Sequence, residues 1–380
     1  MDILSSLGAQ VWSLLGYVVP FLFVLTIVVF VHEYGHYWVG RRCGVGVKAF
    51  SIGFGPELAG FNDRNGTRWR IAAIPLGGYV KFFGDANGAS QPDHAAIGGM
   101  GADEREKSFF HKPVGQRAAV VAAGPIANFI LAIAIFTLTA LAYGRPVLTP
   151  RVEKVTEGSA AATAGLKPGD VVTSVNGRRI DSFAELQRIV STSPGESLTL
   201  LVDREGRSMT LVATPLLKEL KSPFGVQRIG LLGVQGSSDP ADFRIESLGP
   251  VDALKTGVSE TWFIVERTGA YIGGLFAGRE STDQLSGPIR IAQVSGHVAQ
   301  NGIVALINLA ALLSVSIGLI NLFPIPMLDG GHLVFYAIEA VRGRPLSERA
   351  QEYGFRIGLA FVLMLMLFVT FNDILHLTTL

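Results

Sequence analysis

The stretch VVFVHEYGHYW, residues 28–38, decides how this chain is read. The residues leading into it, PFLFVLTIVVFV from Pro20 to Val31, are apolar enough for a bilayer, yet the run continues into two histidines and a glutamate. Ionisable groups at that depth are costly, and a membrane helix that keeps them usually uses them.

Composition agrees with a membrane setting. The 380 residues are 49% hydrophobic and only 17% charged, unlike an ordinary globular protein. A net charge of +1 gives no reason to expect a nucleic-acid partner. The single cysteine, Cys43, excludes an intramolecular disulfide and a cysteine zinc cluster. The N-terminal MDILSSLGAQ lacks a basic region, and the apolar run after it is long enough to span and stay, so no cleavable signal peptide is expected.

Four apolar runs have the length of a membrane span: about Leu15 to Val39, 118 to 143, 303 to 323 and 355 to 371. They predict a multi-pass α-helical membrane protein. Between the first two runs lie Arg41, Arg42, Lys48, Arg64, Arg68, Arg70, Lys81 and Arg117, and between the last two lie Arg342, Arg344 and Arg349. The positive-inside rule then puts both of these loops in the cytoplasm, and both termini and segment 144–302 outside.

The outer segment begins as a folded α+β domain. EGSAAATAGLKPGD reads as a short helix stopped at Gly165 and a Pro168-Gly169 turn, and VVTSVNG as a strand ending in an Asn-Gly turn. In DSFAELQRIVSTSPG, Ser182 and Glu185 have capping-box spacing. SLTLLVDREGRSMTLVATP closes the unit as a hairpin around Glu205-Gly206. This order resembles a PDZ domain at 147–215, a class that binds extended peptides by adding a strand to its own sheet. Residues 216–302 read as a linker carrying one amphipathic helix that lies in the membrane interface or packs on the outer face of the bundle. The membrane parts are then 1–143 and 303–380.

Within the first span, His32-Glu33-x-x-His36 matches H-E-x-x-H. Two imidazoles four residues apart share one helical face and can grip one metal ion, while the glutamate reaches the water on it. A hydrolytic zinc normally has three protein ligands, and the spacing supplies no third. Asp329, His332 and Glu339 follow the third run, and Asp373 and His376 end the chain. By sidedness Asp329 and His332 arrive at the depth of the histidines, and Asp373 and His376 do not. In NLFPIPMLDGGH, Pro324 and Pro326 break the helix and Gly330-Gly331 frees the backbone after the carboxylate. Irregular backbone at membrane depth is tolerated where it faces protein or a wet cavity. VKAFSIGFG and RWRIAAIPLGGYVKF alternate like paired strands, predicting a membrane-associated β-hairpin with an edge open to an extended substrate. Gly77 and Gly78 would allow close backbone approach there.

HEYGH, the PDZ-like insert, PLGGYVKF at 75–82, LSGPIRIA at 285–292 and NLFPIPMLDGGH together resemble the site-2 protease family of intramembrane zinc metalloproteases, in the bacterial group that includes the regulator of sigma-E protease. The resemblance implies Zn2+ held by His32, His36 and Asp329, Glu33 as general base, Asn321 as a residue that helps hold substrate, and His332 as a neighbour of the site. It implies a protease of the cell inner membrane that cuts single-span membrane proteins, such as anti-sigma factors or signal-peptide remnants, in regulated intramembrane proteolysis. The PDZ-like domain would bind substrate or a regulatory peptide. One departure stands out: the sigma-E protease has two tandem PDZ domains, and this sequence signals one, as in shorter members of the family. Two other classes fit parts of the pattern, a PDZ-containing binding protein without catalysis and a metal transporter. Intact Glu33 opposes the first, and the lack of further ligands along the other spans opposes the second.

Overall fold

A computed structural model describes residues 2–86, 93, 97–222, 225–282 and 285–378. The chain opens with helix α1 (Asp2–Arg42), strands β1 (Val47–Asn62) and β2 (Arg68–Phe82), and helix α2 (Val114–Tyr143). A strand-rich stretch follows: β3 (Arg145–Leu148), β4 (Val152–Val155), β5 (Val171–Val175), β6 (Arg178–Arg179), α3 (Phe183–Thr192), β7 (Leu198–Arg204), β8 (Arg207–Ala213), β9 (Leu216–Ser222), β10 (Gly225–Leu231), β11 (Val234–Gly236) and β12 (Phe243–Glu246). The rest is helical: α4 (Pro250–Phe276), α5 (Pro288–Ala299), α6 (Ile303–Asn321), α7 (Asp329–Arg342) and α8 (Glu348–Thr378). Two compact units result, one of residues 1–136, 257–266 and 286–380, the other of 137–256 and 267–285.

Four helices of the first unit are long and apolar enough to cross a membrane, over Leu14–Arg42, Val114–Tyr143, Ile303–Asn321 and Glu348–Leu375. They coincide with the four apolar runs. The last begins earlier than its hydropathy suggests, because its first turns carry Glu348, Arg349, Glu352 and Arg356, with Arg356 paired to Glu352 at 2.6 Å. A helix continues into water where an apolar run stops. Pro20 and Pro125 lie inside α1 and α2 without ending them, as bundled membrane helices allow.

Packing around α1 positions the site. Val24 and Val28 are buried against Val294 of α5 and Leu306, Leu309 and Ala310 of α6. Asp373, a sequence candidate for metal binding, has a different task here: its carboxylate accepts from the backbone N–H groups of Gly287 and Arg290, both at 3.0 Å, and so caps the start of α5. The side chain of His376 lies outside the described part.

The expected hairpin is present. Residues 49–52 of β1 are paired twice, with 81–78 on one side and 68–71 on the other, and 57–62 of the same strand pair with 72–68. Gly53 (φ 88°) and Gly55 (φ 87°) let β1 fold at this doubled register. Phe50, Val80 and Phe82 enter one buried cluster with Val120 and Val121 of α2, and Phe30 and Tyr37 of α1 pack on it.

In the second unit the sheet order is β6-β5-β7-β8, with β11 on β4, β10 on β9 and β12 on β3 as separate antiparallel pairs. Local signals fall where the residues put them: Asn176 (φ 51°) and Gly177 (φ 78°) turn β5 into β6, and Glu205 (φ 52°) and Gly206 (φ 81°) turn β7 into β8. Ser182 Oγ accepts from the Glu185 N–H at 3.2 Å, while the Glu185 carboxylate takes the N–H of Asp181 at 3.0 Å. The core gathers Val152, Val172, Val175, Leu186, Leu198, Leu200 and Val202. Segment 216–302, read from sequence as a linker with one helix, holds β9 to β12 as well as α4 and α5. On α4, whose residues 257–266 belong to the first unit, Val251, Leu254, Val258 and Trp262 are exposed apolar residues.

Candidate metal centre

The site grows from one helical turn. His32 and His36 stand on the same face of α1, and their Nε2 atoms lie 3.2 Å apart. Asp329, the first residue of α7, brings Oδ2 to 3.2 Å from Nε2 of His32 and 3.5 Å from Nε2 of His36. The three side chains are only 10, 11 and 16% exposed.

The loop between α6 and α7 delivers that carboxylate. It leaves α6 after Asn321 and passes Met327, whose positive φ of 93° is strained for a side-chain-bearing residue. The two glycines after Asp329 answer a steric demand. A Cβ on Gly330 would sit 2.2 Å from the Phe323 carbonyl oxygen, and one on Gly331 would sit 2.4 Å from that of Ile325. Neither has a positive φ, so close packing is their function, and the backbone freedom expected of them falls on Met327 instead.

Helix α2 supplies what the sequence reading left out. The Nδ1–H of His36 is placed to donate to the Val120 carbonyl at 2.9 Å. A Cβ on Gly124 would lie 2.2 Å from Nε2 of His36 and 2.9 Å from Cε1 of His32, so only glycine leaves room for the rings. Asn128, fully buried, sets its amide 3.3 Å from Nδ1 of His32. A signal was there: Asn128 is a polar residue in the apolar run AAGPIANFILAIAIF, the pattern that marks function in a span.

The donors fit zinc. A tetrahedral ion with bonds of about 2.0–2.1 Å separates its ligand atoms by about 3.3–3.4 Å, and the observed edges are 3.2, 3.2 and 3.5 Å. Oδ2 of Asp329 is buried without a hydrogen bond among the described residues although two ring nitrogens face it. Two imidazole nitrogens and a carboxylate oxygen gathered this closely are the donor types a hydrolytic zinc takes.

A cavity of about 660 Å³ opens on the cluster, with Glu33, Asn321, His332, Gly78 and Tyr79 in its wall. Glu33 faces the hairpin, where a Cβ on Gly78 would touch its Cγ at 3.1 Å. Asn321 spends one amide hydrogen on the carbonyl of Ile317 in its own helix. Gly77 stands apart from the cavity lining, under the ring of Phe54, where a Cβ would meet Cε2 at 2.6 Å. His332 is no member of the donor triangle and packs its ring near Phe355 and Tyr336. Glu339 is paired with Arg117.

Comparison with known proteins gives these residues a context. The profile of peptidase family M50 matches residues 20–365. A protein of Agrobacterium fabrum that carries a zinc metalloprotease name is 50% identical over 372 residues, covering 98% of this chain and 99% of its own. Metalloprotease MmpA of Caulobacter vibrioides is 43% identical over 94% of both chains. The regulator of sigma-E protease RseP of Escherichia coli is 32% identical, with 95% of this chain and 98% of its own covered. That alignment runs over 459 positions, longer than the 380 residues of this chain, so RseP carries additional sequence. The chain belongs to peptidase family M50 and is a membrane metalloprotease that depends on zinc.

Proposed function

We propose that this protein hydrolyses peptide bonds within or beside the transmembrane helices of single-span membrane proteins, with zinc held by His32, His36 and Asp329 and with Glu33 as general base. The observation that carries the proposal is the donor triangle on a membrane-length helix with Glu33 in the same cavity. Bound zinc supplies a Lewis acid for the scissile carbonyl and a water of lowered pKa. Glu33 would take a proton from the attacking water and return it to the departing amine nitrogen as the C–O bond forms and the C–N bond breaks. Gly78 of the hairpin leaves room for the Glu33 side chain beside it.

A peptide bond inside a helix is shielded by its own hydrogen bonds, so the substrate must be extended before attack. Residues 78–82 of the hairpin line the cavity beside Glu33, which supports strand addition along this segment. Proline at Tyr79 or Lys81 would then reduce cleavage with zinc content unchanged. Asn321, in the cavity wall, would touch the bound segment.

We further propose that the second unit is the PDZ-like domain, and that it takes an extended peptide from a substrate or regulator in the groove of about 390 Å³ between α3 and segment 229–235. Leu186 and Val190 line that groove with apolar surface, as peptide grooves require. The arginine-rich loops argue for both termini and this unit lying outside the cytoplasm, and the likeness to RseP argues for the inner membrane. A role in regulated proteolysis of membrane proteins is in keeping with the likeness to RseP, the regulator of sigma-E protease.

The deciding experiment incubates detergent-purified protein with a trimmed single-span substrate. Cleavage that stops with a zinc chelator, resumes with added zinc and is absent in Glu33→Gln supports the proposal. Cleavage by the Glu33→Gln protein at the wild-type rate would sink it.

A further inference from the structure

We infer that Asn128 is a positioning residue for the zinc: its side-chain oxygen accepts the Nδ1–H of His32 and thereby fixes the tautomer that leaves Nε2 free to bind metal. The inference rests on the ligand set proposed above.

Val120, Gly124 and Asn128 follow one another at four-residue spacing, so they form a single stripe on α2. Each does one thing for the histidines. The Val120 carbonyl takes Nδ1–H of His36 at 2.9 Å, Gly124 leaves space for both rings, and Asn128 meets Nδ1 of His32 at 3.3 Å. The nearest amide atom is Nδ2, while Oδ1 is buried with no partner among the described residues. An imidazole that binds metal through Nε2 carries its proton on Nδ1 and needs an acceptor there. The two ends of a carboxamide are nearly the same size, so a half-turn of the group presents its oxygen to that proton at no steric cost.

The anchor behind Asn128 is firm. Ser314 Oγ of α6 donates to the Asn128 carbonyl at 2.9 Å, and both residues are wholly buried. A Cβ on Gly318 would come within 3.2 Å of the Asn128 Cβ, so α6 and α2 meet closely at this point. A polar side chain that only filled a slot would need size. The role inferred here needs an acceptor.

Two substitutions separate size from chemistry. Asn128→Leu keeps the volume and removes the acceptor, whereas Asn128→Asp keeps an acceptor. Zinc affinity of the full-length protein in detergent is read by competition with a chelator, alongside thermal melting. The expected result is zinc binding weaker by roughly 10- to 100-fold in the leucine variant, and close to wild type in the aspartate variant. Wild-type affinity in the leucine variant, or equal losses in both, would overturn the inference. His32→Ala, run in parallel, tests the ligand set by itself: if it binds zinc as wild type does, that reading fails on its own account. Should neither Asn128 variant fold, nitrogen NMR of zinc-loaded wild-type protein labelled at histidine gives the answer. The inference requires a proton on Nδ1 of His32 and a metal shift on Nε2, and the opposite tautomer contradicts it.

Discussion

Asp170 in the strand-rich unit and Asp329 in the helical unit are both carboxylates withdrawn from water, and their surroundings treat them differently. Asp170 is met by Arg204 with two parallel hydrogen bonds of 2.7 Å and by the Lys167 N–H at 2.8 Å. Burial would raise its pKa, but the Arg204 guanidinium and the backbone donor outweigh this and hold it below the ordinary carboxylate range. Asp329 faces two imidazole nitrogens at 3.2 and 3.5 Å, and its Oδ2 makes no hydrogen bond among the described residues. A carboxylate with its donors supplied by the protein fastens a fold. One that joins other lone pairs around a common point is arranged for a cation.

The largest effect expected from breaking this contrast lies at Asp329 and Glu33. Asp329→Ala loses zinc and cleavage together, whereas Glu33→Gln keeps zinc and loses roughly 10²- to 10⁴-fold in rate, as metal analysis and a cleavage assay will show. Next comes Gly124→Ala, whose methyl would occupy the place beside Nε2 of His36. It should weaken zinc binding by at least about tenfold, the lower end of what disturbing a metal site's supporting residues costs. Gly115→Ala in the same helix, with nothing within 4 Å, should leave binding unchanged.

Asp170→Ala sharpens the comparison from the other side. Removing the carboxylate that Arg204 and the Lys167 N–H share should lower the melting temperature of its unit, read by differential scanning calorimetry, with zinc content untouched. The smallest effect concerns Asp85, which is intermediate. Its Oδ2 accepts from the Phe82 N–H at 2.7 Å, but its Oδ1 has no partner among the described residues. Burial pushes its pKa up from 3.8 to about 7. The folded state therefore disfavours the ionised form, so stability is retained at low pH and lost as pH rises through that window. Asp85→Asn should raise the melting temperature at pH 8 more than at pH 5.

Much of this arrangement could be read before any coordinates. The four spans follow from uninterrupted apolar runs, and the turns at Asn176-Gly177 and Glu205-Gly206 follow from local backbone preference. His32 and His36 were legible because four-residue spacing fixes a helical face. Asp329 came from a distant segment, where sidedness narrowed the choice and the family resemblance made it. What stayed hidden was non-local. The pairing of β11 with β4 joins residues about 80 apart and has no local mark, and the stripe Val120-Gly124-Asn128 takes its meaning only from the helix it touches. Gly330 and Gly331 point from sequence to a backbone free to turn, because sequence reports that a side chain is missing without reporting what fills its place.

The ligand set is tested most directly by zinc-edge X-ray absorption on purified protein, wild type and Asp329→Ala. The account predicts one zinc per wild-type chain, two imidazole nitrogens and a carboxylate oxygen in its coordination shell, no sulfur, and loss of the metal in the variant. Active wild-type protein without zinc, or an unaltered zinc spectrum in Asp329→Ala, would contradict it.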